Sequence, residues 1–182
     1  MMRFIFISFV ALALIYLFLR GRTMERSSDK PIFLQIDEIA LVHETKIDIN
    51  IESNFIPDSL QIQTLKKDYS NIWAHLNHLY STNDIISGKE YYTENWFRQL
   101  ASHYNDIVEP IIFRQDEYHN LYIKNWASDG LVCTAIDSNV LLTYTYPNQK
   151  KKTCKTNLAI VLLYQGDNWR IDALKILDES CK

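Results

Sequence analysis

The sequence predicts an α+β domain carried behind a membrane-spanning helix, with helices packed on one face of a curved antiparallel sheet. Three observations lead there. An unbroken apolar run occupies Phe4 to Leu19. Apolar residues then recur at three- and four-residue steps from Leu65 to Tyr80 and again from Tyr92 to Tyr104. From Asn120 onward that spacing gives way to apolar runs broken by Ser-Asp-Gly, Asp-Ser-Asn, Pro-Asn-Gln and Gly-Asp-Asn, the residues of tight turns. Helices first and strands afterwards is the order of an α+β domain.

The apolar run, FIFISFVALALIYLFL, is closed by Arg3 on one side and by Arg20 and Arg22 on the other. It is shorter than the roughly 20 residues of a spanning helix, and a snorkelling arginine makes up about a turn. Residues 1–22 therefore read as a single-pass anchor in the cytoplasmic membrane. A cleaved signal peptide is the rival reading, but the only Ala-x-Ala, Ala11 to Ala13, lies inside the apolar core. Initiation at Met24 would remove the run altogether. The short tail with Arg3 points to an extracytoplasmic domain, whereas Arg20, Arg22 and Arg26 pull the other way under the positive-inside rule. Export is the reading taken.

Residues 23–57 form a linker and juxtamembrane segment, in which Ile47, Ile49 and Ile51 alternate with Asp48 and Asn50 as in a half-buried strand. Residues 58–182 form the domain. Pro57-Asp58-Ser59 offers caps for a long helix bearing Leu65, Tyr69, Ile72, Trp73, Leu76, Leu79 and Tyr80 on one side. Asn83 to Gly88 breaks it, and a second helix runs from about Lys89 to Tyr104 with Tyr92, Trp96, Phe97, Leu100 and Tyr104 inward. Five strands follow: Leu121–Ala127, Leu131–Ile136, Val140–Tyr146, Thr153–Tyr164 and Trp169–Leu177.

Aromatic residues make up 13% of the chain, against 4 Gly and 4 Pro, so a packed core follows rather than disorder. With Arg3, Arg20, Arg22, Arg26 and Glu25 set aside, the 19 basic and 22 acidic residues become 15 and 21, a balance near −6. A nucleic-acid binder would carry a basic footprint instead.

The element order and the closing hairpin, a long apolar strand, Gly166-Asp167-Asn168 and then Trp-Arg-Ile-Asp-Ala-Leu, resemble the nuclear-transport-factor-2-like (cystatin-like) superfamily. Trp169 and Ile171 match the aromatic-x-Ile start of its last strand, and the resemblance covers roughly Asp58 to Asp178. It implies a cone-shaped domain. Membrane-anchored members are similar to the VirB8-type assembly proteins of bacterial secretion machines. This chain departs from those in its minimal tail and its extra segment from Ile32 to Phe55, so the architecture carries over and the role does not.

With Asp167-Asn168 as a two-residue turn, Tyr164 opposes Ile171 and Leu162 opposes Ala173. Leu158, Ile160, Leu162 and Tyr164 then share a face with Trp169, Ile171 and Ala173, which makes Trp169 a core residue. An open cone would be lined by Tyr69, Trp73, Tyr92, Trp96, Leu162, Tyr164, Trp169 and Ile171, a surface for a small apolar ligand; a filled core is the reading preferred.

The same register sets Cys154 opposite Cys181, whereas Cys133 is expected two strands from Cys154, nearly 10 Å away and beyond the roughly 7 Å reach of a disulfide. Any bond is therefore expected between Cys154 and Cys181. Scattered cysteines and the i, i+3 pair His75 and His78 lack the spacing of a metal site, and the histidines read as a solvated helix flank. His43, His103 and His119 read as isolated. Lys150, Lys151, Lys152 and Lys155 cluster at a hairpin tip and are the candidate partner surface. Of the carboxylates, Asp172 falls on the face opposite Trp169 and Ile171, while Asp84, Asp106 and Asp116 fall in or near breaks, so no catalytic base is assigned.

No chemical constellation emerges, and neither a cofactor nor a metal is expected. The sequence leans to a non-catalytic, membrane-anchored protein-binding domain of a bacterial envelope or secretion assembly. An enzyme or small apolar ligand binder using the cone, and a toxin-neutralising immunity protein, are the alternatives. A buried carboxylate facing the cavity would favour the enzyme or ligand binder.

Overall fold

The structure, a computed structural model, describes residues 37–104 and 112–182. The expected membrane segment Phe4–Leu19 and Asp106 lie outside them; among the described residues no helix is long and apolar enough to cross a membrane. The folded unit runs from Glu38 to Lys182 and so includes the strand that was placed in the linker. Its elements are α1 (Glu38–Leu41), β1 (Lys46–Ile51), α2 (Ser59–Thr82), a 3-10 turn (Lys89–Tyr91), α3 (Glu94–His103), β2 (Phe113–Trp126), β3 (Val132–Thr145), β4 (Lys151–Gln165) and β5 (Asn168–Cys181). The sheet order is β1-β2-β3-β4-β5, with β1 parallel to β2 and the rest antiparallel.

Helix α2 begins where the sequence provides a reciprocal cap. Gln61 N donates to Asp58 Oδ1 at 2.8 Å and Asp58 N donates to Gln61 Oε1 at 2.9 Å. It ends at Asn83, whose φ of 59° is the left-handed conformation that closes a helix. Leu65, Tyr69, Ile72, Trp73, Leu76 and Leu79 are buried against the sheet, and each Leu or Ile among them contributes about 1.5–3 kcal/mol by leaving water. His75 is buried too, stacked on Tyr91 with ring centroids 4.8 Å apart, and is no solvated flank.

The second helix is divided where the sequence predicts continuity. Tyr92 leaves helical conformation to form a parallel bridge with Ile171, and Thr93 N donates to Ile171 O at 3.0 Å. Thr93 then caps α3, its hydroxyl oxygen accepting from Trp96 N. Gly88 sits where Tyr92 needs the room: a Cβ there would lie 2.4 Å from the ring.

The strands differ from expectation in two places. Asp137-Ser138-Asn139 is a bulge inside one long β3, marked by Asn139 at φ 62°, and not a turn between two strands. A polar triplet is tolerated there because Asp137 faces inward and finds partners. Strand β2 starts at Phe113, well before Leu121, so the five-stranded count is reached with β1 as its fifth member. Hence β3 and β4 are neighbours, Cys133 opposite Leu162 and Cys154 opposite Leu142. Cys133 is kept from Cys154 by about nine residues along the strands, roughly 30 Å, and not by an intervening strand.

The last hairpin turns one residue earlier than expected. Gln165 pairs with Asn168, so Gly166 and Asp167 make the turn and Tyr164 opposes Trp169. Two register shifts, between Val161 and Leu162 and between Asn157 and Leu158, leave Asp172 and Leu177 of β5 unmatched. Beyond the first shift Leu174 and Ile176, rather than the exposed Ala173, oppose Ile160 and Leu158 on the inner face. Beyond the second, Cys154 faces Cys181, and the two are disulfide-bonded with Cα atoms 4.0 Å apart.

Candidate functional site

Two zones lie between α2 and the concave face of the sheet. The first is closed. Trp169 is buried, edge-on to Trp126 at 5.0 Å and to Tyr164 at 5.5 Å, and its backbone N donates to Asp68 Oδ2 at 2.9 Å. Burial raises the Asp68 pKa, with the Trp169 hydrogen bond working against it.

Next to this cluster stands a polar group that the sequence left dispersed. His119 is neither isolated nor exposed: Nε2 lies 2.8 Å from Asp116 Oδ2 and Nδ1 lies 2.6 Å from Asp137 Oδ2, all three side chains inaccessible to water. Burial opposes a charge on the ring, but the two carboxylates outweigh it and hold the His119 pKa up at about 9. The ring is therefore an imidazolium at neutral pH, donating both N–H groups. Asp137 also accepts from the Tyr69 hydroxyl at 2.6 Å and from Asn120 N at 3.0 Å. Burial, and after it the Asp137 charge, raises the Tyr69 pKa well above its ordinary value.

Asp116 is an interior residue of β2, not a loop carboxylate. Besides His119 it meets His43 Nε2 at 2.8 Å and accepts from the Asn77 amide. Burial works to raise its pKa, but His119 and His43 outweigh that and hold the carboxyl far below the usual range. A histidine with both nitrogens occupied has no free position for a substrate proton. Among the described residues the His119 ring and its two carboxylates are engaged with one another, an arrangement that stabilises the fold.

The second zone is open. A cavity of about 550 Å³ lies further along the sheet, within the range of small-molecule sites. Trp73, Leu76 and Tyr80 of α2 form one wall, and Trp96, Leu100 and His103 of α3 a second. The floor is Arg114, Leu142, Tyr144, Thr156 and Leu158, and Leu174, Ile176 and Glu179 of β5 close the side. Of the expected lining residues only Trp73 and Trp96 belong to it. Tyr69, Tyr92, Leu162, Trp169 and Ile171 are buried in the closed zone and Tyr164 packs at its edge. The cone is thus filled at one end and hollow at the other.

Among the described residues Arg114 is the one arginine or lysine of the cavity wall, and the sequence alone does not single it out. Its Nε donates to Asn77 Oδ1 at 2.8 Å, and its guanidinium carbon lies 4.8 Å from the Tyr80 ring centroid and 5.6 Å from that of Trp73. Burial lowers its pKa, though it remains cationic. The signal was there in part: Arg114 and Asp116 share a face by alternation. The irregular register around Tyr118 then breaks the period and hides their continuity with His119 and Leu121.

The other candidates fall outside the cavity or serve structure. Lys150, Lys151, Lys152 and Lys155 are exposed at and beyond the β3–β4 hairpin tip. Asp84 caps its own turn, accepting from Ile86 N and Ser87 N. Asp172, unmatched in β5, accepts from Thr93 Oγ1 at 2.6 Å and fastens the start of α3 to the sheet. His103 reaches the cavity wall, its Nδ1 lying 2.9 Å from Gln99 O. Among the described residues the one group of three metal-ligating side chains is Cys154, Glu179 and Cys181, whose sulfurs are spent in the disulfide. Burial pushes the Cys133 thiol up to about 12, which leaves it inert.

Fold and cavity define an α+β domain with one helix laid across an open sheet and a hollow at one end. No family model matches the chain, and no curated protein matches it. Among solved structures it is similar to the crystal structure of a hexachlorocyclohexane dehydrochlorinase (LinA) type 2, with 6% identity and a TM-score of 0.49 over 69% of this chain and 93% of that one. At that identity the likeness concerns backbone outline alone, and the α+β class stands on the chain's own element order.

Proposed function

We propose that the folded unit is a small-ligand-binding domain of the nuclear-transport-factor-2-like type, which takes an apolar molecule into the cavity beside Arg114 without transforming it. The observation that carries this is the 550 Å³ hollow walled by aromatic and aliphatic side chains. A buried histidine between two carboxylates would suggest catalysis, but His119 is not among the residues that line the cavity, Trp73 standing against its ring, and both its nitrogens are engaged. The Cys154–Cys181 bond supports an oxidising compartment, and with Phe4–Leu19 as anchor the unit would stand outside the cytoplasmic membrane. Among the described residues, nothing favours the envelope-assembly or immunity readings over this one.

The test is titration of the full chain in phosphatidylcholine nanodiscs with 2-naphthylmethanol, read by calorimetry against empty nanodiscs. A saturable change is expected, and Leu174→Trp, which fills the hollow from the sheet edge, should abolish it. A response that is linear in probe, or unchanged in the filled variant, would overturn the proposal.

A further inference from the structure

The cavity is apolar over most of its wall, yet one cation is built into it. We propose that the ligand is a carboxylate on an apolar body, its head received by the Arg114 guanidinium; this rests on the ligand-binding reading of the same cavity.

The guanidinium is held in place without being neutralised by contact. Its Nε is engaged by Asn77 Oδ1, while the Asn77 amide N–H goes to Asp116, so the carboxylate orients the arginine at one remove. The rings of Tyr80 and Trp73 flank it. Among the described residues no carboxylate lies within 4 Å of it, whereas Asp116 is already met by His119 and His43. With Nε occupied, the terminal nitrogens, in hydrogen-bond reach of Tyr144, carry the remaining N–H donors, the kind that pair with the oxygens of a carboxylate. Tyr144 stands beside them as a further polar contact.

The surroundings carry the same sign. Lys152 pairs with Tyr144 and so stands on the inner face of the sheet at the cavity end, beside Lys150 and Lys151 at the hairpin tip. This is a local excess of positive charge on a domain that is acidic as a whole, and it would draw anions to the opening. Glu179, on the opposite side of the cavity, opposes an anion and sets a limit on how tightly one is held.

The experiment compares acid with alcohol on the same skeleton: 2-naphthoate against 2-naphthylmethanol, and octanoate against octanol, titrated into the full chain in phosphatidylcholine nanodiscs. The acid of a pair should bind about tenfold or more tighter than its alcohol, as a charge-assisted hydrogen bond implies. Arg114→Gln should remove that preference, so that acid and alcohol bind alike, Arg114→Lys should keep part of it, and Glu179→Gln should raise the preference for the acid. Preference in the aromatic pair only would identify an aromatic acid, and preference in the alkyl pair only an acyl chain; either supports the proposal. Equal binding of acid and alcohol overturns it while the cavity reading stands. No saturable binding of any probe overturns both. The wild-type comparison needs no variant, so a misfolded Arg114→Gln would not shield the proposal.

Discussion

The two ends of the space under α2 use the same kinds of side chain to opposite effect. At the closed end Asp116, His119, Asp137 and Tyr69 satisfy one another and leave no free position. At the open end Arg114 is aimed by Asn77 and, among the described residues, meets no acid within 4 Å. A buried charge whose partners are all internal contributes to the fold; a charge that is positioned and left short of a counterion is available to a ligand. The comparison predicts that substitutions at the closed end change stability first and binding second, and that those at the open end do the reverse.

The largest effect should come from His119→Leu, which strands two carboxylates in the interior. It should cost about 4 kcal/mol in urea unfolding at pH 7, with the loss shrinking in acid as the carboxyls protonate. Opening the Cys154–Cys181 bond frees a cross-link with a sequence separation of 27, worth roughly 3 kcal/mol of chain entropy. Cys154→Ser with Cys181→Ser should therefore lower stability under oxidising conditions, and added reductant should leave that variant unchanged.

A smaller change follows from pH. The His119 pKa is raised from an unfolded value near 6.5 to about 9, so its contribution is complete below the first value and is lost as pH rises through the second. Thermal unfolding should show up to about 3 kcal/mol of loss between pH 6.5 and 9.5 that His119→Leu does not show. Asp116 works in the other direction: its depressed pKa gives stability that is present above about pH 4 and lost on acidification. The smallest effect belongs to the open end, where Arg114→Gln should shift stability by no more than about 1 kcal/mol. A loss there as large as that of His119→Leu would mean that the guanidinium belongs to the buried network, and the contrast would fail.

How much of this was legible in the sequence depends on which residues are asked. The long helix, its cap at Asp58 and the core position of Trp169 are local in origin and could be read directly. Asp137-Ser138-Asn139 could not, because a polar triplet is a turn unless its aspartate meets a buried partner, and that partner, His119, is supplied by another strand. The front half of β2 was missed for the same reason: Arg114, Asp116 and His119 are polar residues on an inner face. The expected lining fell at the hairpin end, where Leu162, Trp169 and Ile171 pack as filled core; the hollow lies at the other end of the same inner face, past the shift that brings Leu174 and Ile176 there. Polar interiors and bulges are tertiary facts, and they are where this site lies.

The unmatched residues of β5 have a consequence for how the molecule is made. With only one of the two shifts in place, Cys154 would face Ser180 and Cys181 would face Thr153, so the two thiols would point to opposite sides of the sheet. Oxidation then acts as a checksum on strand alignment, since the bond can close only in a chain that has counted both extra residues correctly. Deleting one residue between Ala173 and Asp178 should leave Cys154 and Cys181 as thiols beside Cys133, so a thiol count in denaturant would read three for slipped molecules and one for aligned ones.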